Sequence, residues 1–180
     1  MHKTKAPHHV LNVYMKRWSV IFVASLAVLI FSCKSAKVTN GFELTKIVYH
    51  TTRCFGWCPA IDMQLDSNKT IIVNRMIFPQ GKGATADSTA SGMFTGKVSQ
   101  AVYDSLTSLM VKMNIDSLKF PNTLCCDAPV VTLIVYHNGK RKYLKSMFPP
   151  EEAQALITML KTIALDSTLT RVEKIGKIEE

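Results

Sequence analysis

Val130-Val131-Thr132-Leu133-Ile134-Val135-Tyr136, then His137-Asn138-Gly139, then Lys140-Arg141-Lys142-Tyr143-Leu144-Lys145-Ser146-Met147, is the stretch that decides the fold. The first run carries no charge and is rich in β-branched residues, which suits a central strand. Asn-Gly is the strongest short hairpin signal, because a type I′ turn needs φ > 0 at both central residues. The sequence therefore predicts that Val130–Tyr136 pairs antiparallel with Lys140–Met147. Lys140, Arg141, Lys142 and Lys145 form a basic cluster on the second strand, where charge keeps an edge from mispairing.

Upstream, Phe42–Thr52 is rich in β-branched and aromatic residues and reads as a strand. Ile61, Met63 and Leu65 alternate with Asp62, Gln64 and Asp66, the period of a half-buried strand. Asp66-Ser67-Asn68-Lys69 is a turn, and Thr70–Phe78 returns as its partner. Gly81–Gly92 is rich in Gly, Ser, Thr and Ala, Gly81–Ala90 reads as a loop, and Met93–Lys97 as a short strand. Ser99 suits an N-cap, and Val102, Leu106, Leu109, Met110 and Met113 recur at helical spacing, so 100–113 reads as an amphipathic helix. Pro149 and Pro150 start a second helix, with Glu151 and Glu152 in its first turn and an apolar face of Leu156, Ile157, Leu160 and Ile163. The order β-β-β-(β)-α-β-β-α predicts a two-layer α+β domain: an antiparallel sheet of about five to six strands with two helices on one face.

The N-terminal part carries a different signal. Lys16-Arg17 precede an apolar run, Trp18 to Phe31, that closes in Leu29-Ile30-Phe31-Ser32-Cys33. A basic n-region, a short apolar h-region and a small residue before a cysteine make a bacterial export signal with a lipid-attachment site at Cys33. The run is short for a bilayer span, which takes about 20 residues. Residues 1–14, with His8-His9, precede this signal as a foreign extension, and Met15 is a plausible start. The expected organisation is a signal region at 1–32, a lipidated tether at 33–41, one α+β domain at 42–169 and a charged tail at 170–180. The whole chain has net charge +9, but removing Lys3, Lys5, Lys16 and Arg17 from its 22 basic residues leaves 18 against 13 acidic, a net of +5. An exported protein with so modest a charge is not expected to bind nucleic acid. The expected partners are the membrane, through the anchor, and an envelope protein or surface polymer.

Four cysteines follow the anchor: Cys54, Cys58, Cys125 and Cys126. An even number in an exported chain points to disulfides, with three pairings open. Closure across Gly56 favours Cys54–Cys58. Crossed pairing would tie the first hairpin to the segment before the central strand, and a Cys125–Cys126 link would close a strained vicinal ring, a pairing expected only of a redox-active pair. Cys54-x-x-x-Cys58-Pro59 also resembles the CxxxCP element of Sco-type copper chaperones, which implies copper held by Cys54, Cys58 and a distant histidine, for which His137 is the candidate. Soft thiolates do select Cu(I). In that fold, however, the cysteines sit between a strand and a helix; here strand-like sequence flanks both sides, so a structural staple without a metal is the favoured reading.

No catalytic constellation emerges. There is no GxSxG, HExxH or calcium-loop pattern, and Gly92–Lys97 (GMFTGK) lacks the spacing and hydroxyl of a P-loop. His50 and His137 lie in strand-like segments as satisfied histidines, and Asp127 before Pro129 reads as a turn residue. The expectation is a non-enzymatic module without a cofactor. Arg53-Cys54-Phe55-Gly56-Trp57-Cys58-Pro59 after a strand, Gly96-Lys97 before a helix, Asp127-x-Pro129 before a central strand and Asn138-Gly139-x-x-Lys142 together resemble the family called domain of unknown function 6438, over roughly Phe42 to Leu165. Ile61 departs from it, standing where an aromatic is usual. The resemblance implies a bacterial envelope protein, and supplies no activity, substrate or catalytic residue.

Overall fold

Asn138 and Gly139 take φ of 49° and 71°, the two-residue turn that Asn-Gly encodes. In the computed structural model, which describes residues 41–81, 85–123 and 125–180, this turn joins β5 (Val131–His137) to β6 (Lys140–Ser146). The Asn138 side chain accepts from Glu43 N–H at 2.7 Å, and its own N–H donates to Glu43 C=O at 3.0 Å. The hairpin is thereby locked to the strand beside it. An added Cβ at Gly139 would meet nothing within 4 Å, so substitution there costs backbone conformation alone. Gly139→Val should lower stability by ~1–2 kcal/mol, read as a lower urea midpoint. An unchanged midpoint would mean the left-handed turn is not required.

The other strands are β1 (Leu44–Thr51), β2 (Ala60–Asp66), β3 (Thr70–Met76), β4 (Gly92–Lys97) and β7 (Thr170–Val172), with helices α1 (Gln100–Lys112) and α2 (Glu151–Ala164). All pairings are antiparallel, in the order β6-β5-β1-β2-β3-β4-β7. The fold is a two-layer α+β domain, with a seventh strand beyond the five or six legible in the sequence. The basic strand β6 is indeed an edge. Gly92–Lys97 is β4, with no phosphate-loop geometry.

Alternation decides which side chains face the helices. Ile47, Tyr49, Met63, Leu65, Ile71, Val73, Leu133 and Val135 form one buried cluster with Leu106 and Met110 of α1 and Leu156 and Leu160 of α2. Ser99 caps α1 by accepting from Val102 N–H at 3.2 Å. Tyr103 O–H donates to Leu44 C=O at 2.7 Å and pins α1 to β1. Arg75 also points inward from β3, and its guanidinium donates to Ala164 C=O at 2.6 Å and Ala90 C=O at 3.0 Å while lying 4.0 Å from the Phe94 ring centre. It thus satisfies a terminal carbonyl of α2 that the helix itself leaves open.

Residues 170–180, read from the sequence as a charged tail, behave otherwise. Thr170–Val172 is the edge strand β7, and the remainder crosses the sheet face opposite the helices. Gly176 lies over Ile72. Glu179 then accepts from Lys46 Nζ at 2.7 Å, Tyr136 O–H at 2.7 Å and Arg141 Nη2 at 3.0 Å. Its own C=O meets His50 Nε2 at 2.6 Å. Val48 and Ile134 share this face with Lys46, His50 and Tyr136, and both are fully buried. The charges on this segment hid its role: Ile175 and Ile178 are both half-buried, and Glu179 makes the polar contacts. No helix among the described residues is long and apolar enough to cross a membrane.

Candidate functional site: a cysteine-bearing aromatic rim

The strand ends at Thr51, Ala60, Met76, Val131 and Ser146 lie along one rim of the sheet, as the registers Thr51↔Val131, Ala60↔Met76 and Val131↔Ser146 require. Two loops rise from it. The first, 52–59, is closed by a Cys54–Cys58 disulfide with Cα atoms 5.5 Å apart. Gly56 sits inside this ring at φ 149°, a conformation open to glycine and strained for other residues. Arg53, at the root, stacks 4.1 Å over Phe78. The second loop, 125–130, is tied to the first by Thr52 N–H donating to Val130 C=O at 3.1 Å and Val130 N–H donating to Thr52 Oγ1 at 2.9 Å.

The rim is apolar where it meets solvent. Phe55 is 91% exposed and Trp57 51%, with Met76 and Phe148 also exposed, so four of the five exposed large hydrophobic residues described lie here. Beneath Trp57, a cleft of about 420 Å³ opens between the disulfide loop and α2, with Pro129 on one wall and Ile157 and Lys161 on the other. A second hollow of about 370 Å³ continues it past Arg75 and shares Trp57, Pro59 and Lys161. Trp57 thus separates two concavities, held in place by the disulfide next to it.

The remaining cysteines differ from expectation. Cys125 and Cys126 were disulfide candidates, and both are free thiols, exposed. Crossed pairing is ruled out by the closed Cys54–Cys58 ring. The Cys125 and Cys126 sulfurs lie 2.6 Å apart, and this contact with its neighbour raises the Cys126 pKa. Asp127 lies in a turn, as read.

The two histidines separate. His50 Nδ1 meets Asp62 Oδ1 at 2.9 Å and its Nε2 meets the Glu179 carbonyl. Both partners are acceptors, so only the doubly protonated ring satisfies both. Asp62, foremost, and the carbonyl raise its pKa against the opposing effect of burial. His137 was read as satisfied and is not: it is 1% exposed, stacked 4.8 Å from Phe42, and neither ring nitrogen has a hydrogen-bond partner. Asp116 Oδ1 lies 3.5 Å from Nε2, ion-pair range but too long for a good hydrogen bond. His137 pairs with Leu44, the far end of β1 from the disulfide loop, ~20 Å away along six residues of strand. Cys54, Cys58 and His137 do not converge, and the two thiols are spent in a disulfide. Among the described residues no three potential metal ligands cluster. Cys33, the lipid-attachment candidate, lies outside the described residues, as do the signal region and the candidate start at Met15.

No curated protein sequence matches the chain. Residues 45–164 match the family described as Domain of unknown function (DUF6438). That stretch is more than half of the chain and holds both loops, both helices and the central hairpin, and the chain belongs to this family.

Proposed function

We propose that this protein is a lipid-anchored module of the bacterial envelope that binds a protein partner, without catalysis, through the rim around Trp57. Anchoring is supported by the Lys16-Arg17 n-region and the apolar run ending at Cys33. Binding is supported by one observation above all: large apolar side chains left in water gather on one rim, two of them, Phe55 and Trp57, on the loop that a disulfide closes. Aromatic residues and Met are enriched at protein interfaces, and a pre-ordered loop loses little entropy on docking. The cleft beneath Trp57 gives an incoming side chain a pocket, the arrangement that concentrates binding energy in a few residues. A surface polymer is the competing ligand.

A photoreactive amino acid at position 55 of the full-length protein, in its own envelope, tests this. It should yield one discrete protein adduct, several-fold weaker in Trp57→Ala, while the same probe at Lys69, on the opposite rim, yields none. Adducts with polysaccharide alone, or an equal yield at both positions, would contradict the reading.

A further inference from the structure

Cys125 and Cys126 are neighbours in sequence, and side chains of adjacent residues in extended backbone point to opposite faces. Cys126 escapes this by taking φ 65°, a left-handed conformation uncommon outside glycine. The turn brings the two sulfurs to 2.6 Å. The loop is fixed on either side of the pair. Met147 N–H donates to Thr123 C=O at 3.4 Å and Cys125 N–H donates to Met147 Sδ at 3.0 Å, while Val130 is held by Thr52. The pair itself is exposed on the rim. Anchored flanks with an open, pre-paired dithiol at the crest are the arrangement that thiol–disulfide exchange needs: access for an incoming disulfide and a second sulfur already in place.

We propose that Cys125 and Cys126 form a thiol–disulfide exchange site that reduces a small, exposed disulfide and closes to a vicinal disulfide. Either sulfur can attack first, and Cys125 is the one that a Cys126→Ser variant retains. The Cys125 thiolate attacks one sulfur of RSSR; its S–S bond breaks, giving Cys125–S–SR and RS⁻. Cys126 then attacks the Cys125 sulfur, forming Cys125–Cys126 and expelling the second RS⁻. The protons of the two thiols pass to the two released thiolates, so RSSR leaves as two RSH and the protein has lost two electrons and two protons. The Cys54–Cys58 disulfide, already closed, takes no part. This site is separate from the binding surface proposed around Trp57, and its test does not depend on a partner.

The test uses the full chain purified from membranes in detergent, reduced mildly and exposed to mixtures of reduced and oxidised glutathione. Thiols are then blocked and the protein digested with trypsin, which places Cys54 and Cys58 in peptide 54–69 and Cys125 and Cys126 in peptide 120–140. Peptide 120–140 should appear two hydrogens lighter, with little glutathione attached. Cys126→Ser should instead hold one glutathione on Cys125, at a level at least several-fold above the wild type. Equal glutathione adducts in both proteins, unreacted thiols throughout, or links between the two peptides would each overturn the proposal.

Discussion

Deleting residues 173–180 should lower stability by about 3 kcal/mol, because Val48 and Ile134 would lose their cover and a buried aliphatic side chain contributes ~1.5–3 kcal/mol. For a domain of this size that is a fall in melting temperature of roughly 10 °C. The helix-facing core would be untouched, so the truncated protein should still unfold in one cooperative step. A melting temperature within a degree or two of the full chain would mean the segment only rests on the sheet. Its hold should also depend on pH. Lys46, Tyr136 and Arg141 depress the Glu179 carboxyl from 4.5 to about 2. A carboxylate with a lowered folded pKa stabilises above its unfolded value and loses that contribution as pH falls through the folded one. His50 is raised above 6.5, so its contribution is full below that pH and is lost as pH rises through the folded pKa. The strap is therefore held most firmly between pH 4.5 and 6.5. His50→Gln should remove the decline on the alkaline side and leave the acid side in place.

Arg75→Met should cost about 3 kcal/mol, since an unpaired buried polar group costs ~1–3 kcal/mol and Arg75 serves more than one. Its Nε and Nη1 donate to the carbonyls of Ala90, Ala164 and Asp166, and its guanidinium covers Phe94. The group is buried, and desolvation, its main influence, lowers its pKa. Methionine replaces the stem and leaves those carbonyls without donors. Arg75→Lys should recover only part of the loss, because an ammonium cannot reach the three carbonyls in the fixed fork of a guanidinium. The check is the urea midpoint at unchanged slope. If methionine and lysine prove equal to arginine, the residue does not tie β3 to the end of α2.

What the sequence showed and what it hid follow from the range of the interactions. The β5–β6 hairpin was legible because its turn is written in two adjacent residues, and α1 because its cap and its apolar stripe are local. Cys54–Cys58 closes a short loop and was readable from spacing. The neighbourhood of that loop with Cys125–Cys126 was not, because it depends on β1 lying beside β5, a pairing across most of the domain. The same missing fact left His137 as a candidate partner for Cys54 and Cys58 when it sits at the other end of the strand. The C-terminal strap escaped notice because its charges looked solvated. They are partners for Lys46, Arg141 and His50 on a face whose apolar residues, Val48 and Ile134, were available in the sequence as signs that something must cover it. Arg75 falls in step with Ile71 and Val73 on the inward face, so period two places its guanidinium among them.

The claim on which the functional account turns is that this domain is displayed from a membrane by an acylated Cys33, with the rim loop closed by its disulfide. One mass measurement on the protein from the membrane fraction of a bacterium tests it, read intact and after digestion without reduction. The expected result is a chain that begins at Cys33 with acyl mass added, and a peptide 54–69 two hydrogens lighter than its dithiol form. A chain that still carries Met1 or Met15, or one recovered without acyl mass, would contradict the account.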